Sequence, residues 1–144
     1  MWMCLAPLVL VGSLTTVQTS WHHTASHDGA VVEVQTCERG LGLHAKAATS
    51  GLYALGAQYG FAWQSGPWSA TIQPSAGLSY ADHPVHALPL RTQFEVGLSA
   101  FVGYRDWRVG VSYWHLSNAG LKAPNIGLDL IAIQAGWVFT IPGM

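Results

Sequence analysis

Three residues near the C-terminal end of the chain have the types and spacing for acyl transfer: His115, Ser117 and Asp129. A serine hydroxyl is a weak nucleophile until a neighbouring base takes its proton. An imidazole supplies that base, and a carboxylate fixes its tautomer and stabilises the imidazolium that forms. Between them runs Asn118-Ala-Gly-Leu-Lys-Ala-Pro-Asn125-Ile-Gly127. Asn118, Gly120 and Asn125 in that loop are candidate oxyanion donors. A bare His-x-Ser pair recurs by chance and says little alone. Its meaning depends on what brings Asp129 to it.

The elements that position these residues read as strands. Of 144 residues, 50% are apolar, 11% aromatic and only 9% charged, against about 25% charge in a soluble domain. Mean hydropathy is +0.27. The chain nevertheless lacks the run of roughly 20 apolar residues that a membrane helix needs. Apolarity spread over alternating segments is what a transmembrane β-barrel requires. A net charge of −1 leaves no basic footprint for nucleic acid. Cys4 and Cys37 match no metal or redox spacing, and His22, His23 and His27 lack the regular spacing of metal ligands, so no metal or cofactor is expected.

Period two is clearest from Gly51 onward. Tyr53, Leu55, Ala57, Tyr59, Phe61 and Trp63 form one apolar face, with small or polar residues between them. The same alternation returns over Trp68–Tyr80, Leu90–Tyr104, Trp107–Tyr113 and Ile131–Phe139. Pro74 lies inside the second of these and predicts a bulge, because a strand paired on both sides needs its N–H. Arg91 and Glu95 fall on the polar face and are placed to pair inside a narrow barrel. Ala30–Cys37 and Leu41–Ala48 are shorter strand-like segments around a Glu38-Arg-Gly turn. Residues 1–26 read as a leader with an apolar Leu5–Leu14 core, although no Lys or Arg precedes it. A mis-called start codon and a first barrel strand are the other readings of that run. Residues 27–144 then form one barrel domain, with eight strands expected because single-chain barrels have even counts from eight upward.

Links between the clear strands alternate short (65–67, 105–106) and long (81–89, 118–126). Short links belong to the periplasmic rim and long ones to the external rim. Trp63, Trp68, Trp107 and Trp137 then gather at periplasmic ends, and Tyr53, Tyr80 and Tyr113 at external ends, as two aromatic girdles. Strand parity turns His115, Ser117 and Asp129 outward at the external end. A register centred on Lys122 sets His115 opposite Asp129 and Trp107 opposite Trp137. Directly opposed residues have Cβ atoms about 4.5–5.5 Å apart, close enough for a carboxylate to hold an imidazole. Asp129 is the only acidic residue on the outward face of the five clear strands. A charge there is costly, which favours a functional reason for it.

The segment His115-Leu-Ser-Asn-Ala-Gly-Leu-Lys-Ala-Pro-Asn125-Ile-Gly, with an acid at Asp129, resembles the active-site segment of the PagL family of outer-membrane lipid A 3-O-deacylases. Weaker similarity of strand and loop layout extends over residues 50–139. The resemblance implies an antiparallel eight-stranded barrel in the bacterial outer membrane. It also implies a serine esterase that hydrolyses the ester-linked acyl chain at position 3 of lipid A. The family's base matches His115, its nucleophile Ser117, its acid Asp129, and its oxyanion-site asparagines Asn118 and Asn125. The chain departs from the family in three places: the acid is Asp rather than Glu, Phe139 is followed by Thr-Ile-Pro-Gly-Met where such barrels end on an aromatic, and the N-terminal third shows no match. The implied partner is lipid A or lipopolysaccharide of the outer leaflet, and both a monomer and a homodimer remain open. Two rivals stand beside this reading: a non-enzymatic small barrel, structural or adhesive, and an acyl-ester hydrolase acting on phospholipids. Lipid A mass separates the first, and phospholipid substrates the second.

Overall fold

The computed structural model describes residues 8–19, 31–49, 51–82, 91–122 and 127–139. They form eight antiparallel strands: β1 (Leu8–Thr19), β2 (Val31–Thr36), β3 (Gly40–Ala48), β4 (Leu52–Ser65), β5 (Trp68–Ala81), β6 (Thr92–Tyr104), β7 (Trp107–Ser117) and β8 (Leu128–Phe139). Each pairs with its sequence neighbours, and β1 pairs with β8, so the sheet closes into a barrel. Closure leaves no edge strand to hydrogen-bond, which is the condition for sheet inside hydrocarbon.

Residues 8–19, within the run that reads as a leader, form β1. They hydrogen-bond to β2 on one side and to β8 on the other, with a register shift between Ser13 and Thr15. With β1, the described residues carry an even count of eight strands. His22, His23, His27 and His83 lie outside the described residues, as do Asn125 and the last five residues.

The alternation sorts side chains as the sequence predicts. On β4 the odd-numbered residues from Tyr53 to Trp63 are exposed, and Ala54, Gln58 and Gly60 are buried. Two corrections concern the sheet's interior. Pro74 creates no bulge: the β4–β5 register is the same on both sides of it, and the ladder simply skips from Gln58↔Ser75 to Phe61↔Ile72. On its other side Pro74 stays opposite Leu98. Arg91 does not pair with Glu95. It precedes β6, is exposed, and donates to the Tyr80 hydroxyl at 3.3 Å. Glu95 instead pairs with Lys46 of β3, with His44 3.4 Å away.

That ion pair belongs to a polar filling inside the wall. Gln35 and Gln134 donate to Glu33 at 2.9 and 3.0 Å. Ser112 bonds Ser99 at 2.6 Å and also contacts Gln134. Arg108 pairs with Glu38. Buried charges persist only when partnered, because an isolated one loses its hydration without return. Toward the external end the filling turns apolar: Val31, Trp114, Leu116, Leu128, Leu130 and Ala132 cluster, with Ala48 and Leu52 against them. Lys46 joins the two zones, its ammonium 4.5 Å from the Trp114 ring centroid. Trp114 and Leu116 alternate with His115 and Ser117, so packing behind the wall anchors the strand that carries both.

The aromatic rows also appear. Trp68 lies opposite Tyr104, Tyr104 opposite Trp107, and Trp107 opposite Trp137, which makes one continuous band at the rim where β8 ends. Trp107 and Trp137 meet edge-on with centroids 4.5 Å apart. At the other rim Tyr53 faces Tyr80. Aromatic rings with one polar corner suit the boundary between hydrocarbon and headgroups.

Candidate active site

Strands β7 and β8 position the site. Their ladder places His115 opposite Asp129 and Trp107 opposite Trp137, the register centred on Lys122. On the other side of β7, Val96 lies opposite His115 and Phe94 opposite Ser117. His115 and Ser117 thus sit on a lipid-facing strip with apolar neighbours across the β6–β7 ladder.

Cross-strand opposition becomes a hydrogen bond. His115 Nδ1 lies 2.8 Å from Asp129 Oδ1. The same oxygen accepts the Tyr113 hydroxyl at 2.6 Å. An ionised carboxylate only accepts, so Nδ1 carries the proton in this pair, a tautomer assigned from its partner. The free lone pair then resides on Nε2, the nitrogen available to take a proton from a hydroxyl. Asp129 has outward parity, yet its side chain is only 8% exposed, whereas that of His115 is 36% exposed. The imidazole and the phenol hydrogen-bond the carboxylate, so the charge does not face lipid bare. Their bonds offset the cost that parity alone would impose.

Ser117 ends β7, half-buried and two positions along the same face as His115. Among the described residues, the structure joins His115 to Asp129 and forms no hydrogen bond between Ser117 and either. Beyond Ser117 the chain turns at once. Ala119 and Gly120 have φ of 52° and 80°, and Leu121 N donates to Asn118 O at 3.0 Å. Two consecutive positive φ values are the mark of a type I′ turn, whose twist suits a hairpin. The Asn118 side chain, in a residue only 1% exposed, staples this turn. Its Nδ2 donates to Lys122 O at 2.6 Å and its Oδ1 accepts from Gly120 N at 2.9 Å. Both described oxyanion candidates therefore have these groups engaged inside the turn.

The chain re-enters β8 through Gly127, whose contact with the site is not evident from sequence spacing. Its φ is +72°, and an added Cβ would lie 2.8 Å from His115 Cε1. Glycine is required twice there, for the left-handed backbone and for the close approach to the imidazole. With His115 as the base that the sequence leads one to expect, Gly127→Ala is expected to lower turnover roughly a hundredfold, because an ångström of misplacement of a reacting group has that effect. Release of fatty acid measured beside an unchanged folded fraction checks it.

Comparison with protein families decides the lineage. Residues 11–138 match the family described as Lipid A 3-O-deacylase (PagL). The chain belongs to the PagL family. No curated protein matches. Among solved structures, the chain is similar to one described as the crystal structure of the outer membrane enzyme PagL, with a TM-score of 0.61. The two are 15% identical, and the match covers 91% of this chain and 99% of that one. At that identity the likeness establishes a shared barrel fold. In this PagL-family chain the match includes most of β1, together with the β7–β8 hairpin that carries the His115–Asp129 pair.

Proposed function

We propose that this barrel is an outer-membrane serine esterase that removes the ester-linked acyl chain at position 3 of lipid A. Membership of a lipid A deacylase family supports the reaction class. The observation that carries the residue assignment is the 2.8 Å bond between His115 Nδ1 and Asp129 Oδ1 on the outward wall.

In this reading Ser117 Oγ attacks the ester carbonyl while His115 Nε2 takes its proton. Asp129 holds the tautomer and stabilises the imidazolium. The tetrahedral intermediate collapses, His115 returns the proton to the departing 3-hydroxyl of the sugar, and an acyl-serine remains. Water, deprotonated by His115, releases the fatty acid and restores Ser117. Asn118, Gly120 and Asn125 are the oxyanion donors of this scheme. For Asn118 and Gly120 that role requires exchanging their present bonds within the turn for the substrate oxygen. Binding needs no channel through the barrel. Exposed Phe94, Val96 and Leu98 line the wall beside the catalytic strand, a surface suited to acyl chains.

The test is the mass of lipid A from cells expressing the protein. Loss of one 3-hydroxyacyl chain is expected. Lipid A of full mass, with the barrel folded in the outer membrane, would overturn the assignment and favour a non-enzymatic barrel.

A further inference from the structure

We propose that Tyr113 is a positioning residue, whose hydroxyl fixes the Asp129 carboxylate so that one oxygen serves His115. This rests on the triad reading above and goes beyond it. Tyr113 faces outward two positions before His115, where it reads as an ordinary girdle aromatic. The residue is 41% exposed, but its hydroxyl does not simply face the headgroups. It donates to Asp129 Oδ1 at 2.6 Å, the same atom that accepts His115 Nδ1 at 2.8 Å.

The ladder explains how it reaches. Tyr113 lies opposite Ile131, and Asp129 opposite His115, so Tyr113 and Asp129 are diagonal neighbours. Diagonal pairs are roughly 7–8 Å apart, within reach of an aromatic but not of a short side chain. The need follows from aspartate itself. Its χ2 is a broad torsion without sharp staggered wells. One hydrogen bond from an imidazole that must also move during the reaction leaves the carboxylate free to turn. A second donor on the same oxygen removes that freedom. When His115 becomes an imidazolium, the charge facing it is already aligned.

The experiment is a double-mutant cycle on purified, refolded protein in lipid A–detergent micelles. Tyr113→Phe keeps the ring and removes one oxygen. With Asp129 present, it is expected to lower kcat by roughly tenfold to a hundredfold, the scale of a lost hydrogen bond to a charged group, with KM nearly constant. In an Asp129→Ala background the same substitution is expected to change nothing further. Equal losses in both backgrounds would mean that the hydroxyl acts elsewhere, and would overturn the proposal. So would full activity of Tyr113→Phe. A wild-type protein that releases no fatty acid would remove the esterase reading itself, and the role of Tyr113 with it. An active wild type that Ser117→Ala silences upholds the esterase reading, so that a failure of the cycle then counts against Tyr113 alone.

Discussion

Replacement of Ser117 by Ala is expected to reduce fatty-acid release by roughly ten-thousandfold or more, the loss seen when a hydrolase nucleophile is removed. The substitution deletes one oxygen at the half-buried end of β7. It leaves the His115–Asp129 bond and the turn staple of Asn118 in place. Folding should therefore be unaffected, since substitutions away from caps, cores and buried networks usually shift stability within about 0.5 kcal/mol. The measurement is free 3-hydroxy fatty acid per hour from lipid A micelles, beside heat-modifiable mobility of the barrel. A folded variant with wild-type release would remove Ser117 from the mechanism.

Asp129→Asn is expected to be nearly as damaging, by roughly a thousandfold to ten-thousandfold in kcat, because it inverts the tautomer rather than the shape. The new amide presents an NH2 where Oδ1 now accepts from His115, or keeps its oxygen with Tyr113 and loses charge. If the NH2 faces the ring, the imidazole proton is driven to Nε2, the nitrogen that accepts from Ser117 in the proposed mechanism. If the oxygen faces it, the imidazolium formed during attack meets a neutral partner. Both outcomes lower kcat with little change in KM. Turnover measured across substrate concentration distinguishes this from a binding defect, which would raise KM alone.

The strands that carry the site are the most legible part of the chain. β4 to β8 alternate strictly enough that parity alone turns His115, Ser117 and Asp129 to one face. The level pairing of Trp107 with Trp137 agrees with the register. β2 and β3 are fainter because they are short, and β3 has glycine at two of its first three positions. β1 is hidden for a physical reason. Its Leu-Val-Leu-Val start is apolar on both faces, so period two vanishes and the run is indistinguishable from the core of a leader. Within the site, the pairs set by ladder opposition are readable and the diagonal ones are not. In the sequence Tyr113 looks like a girdle residue, and Gly127 looks like a turn. The contact of each with the His115–Asp129 pair depends on side-chain reach and backbone hand, which spacing does not encode. Pro74 misleads for a simpler cause. The ladder skips there without a change of register, so the strand needs no extra residue to accommodate it.

The outward opening of the His115–Asp129 pair has a consequence for how rates are to be understood. A site on the wall meets its substrate by travel within a sheet two molecules thick, not through bulk solvent. For the proposed deacylase, the governing concentration is then the mole fraction of lipid A among the amphiphiles around the barrel. Adding inert detergent at constant lipid A would slow the reaction by crowding substrate away from the wall, although nothing has bound to the enzyme. Comparisons between variants carry meaning only at matched surface composition.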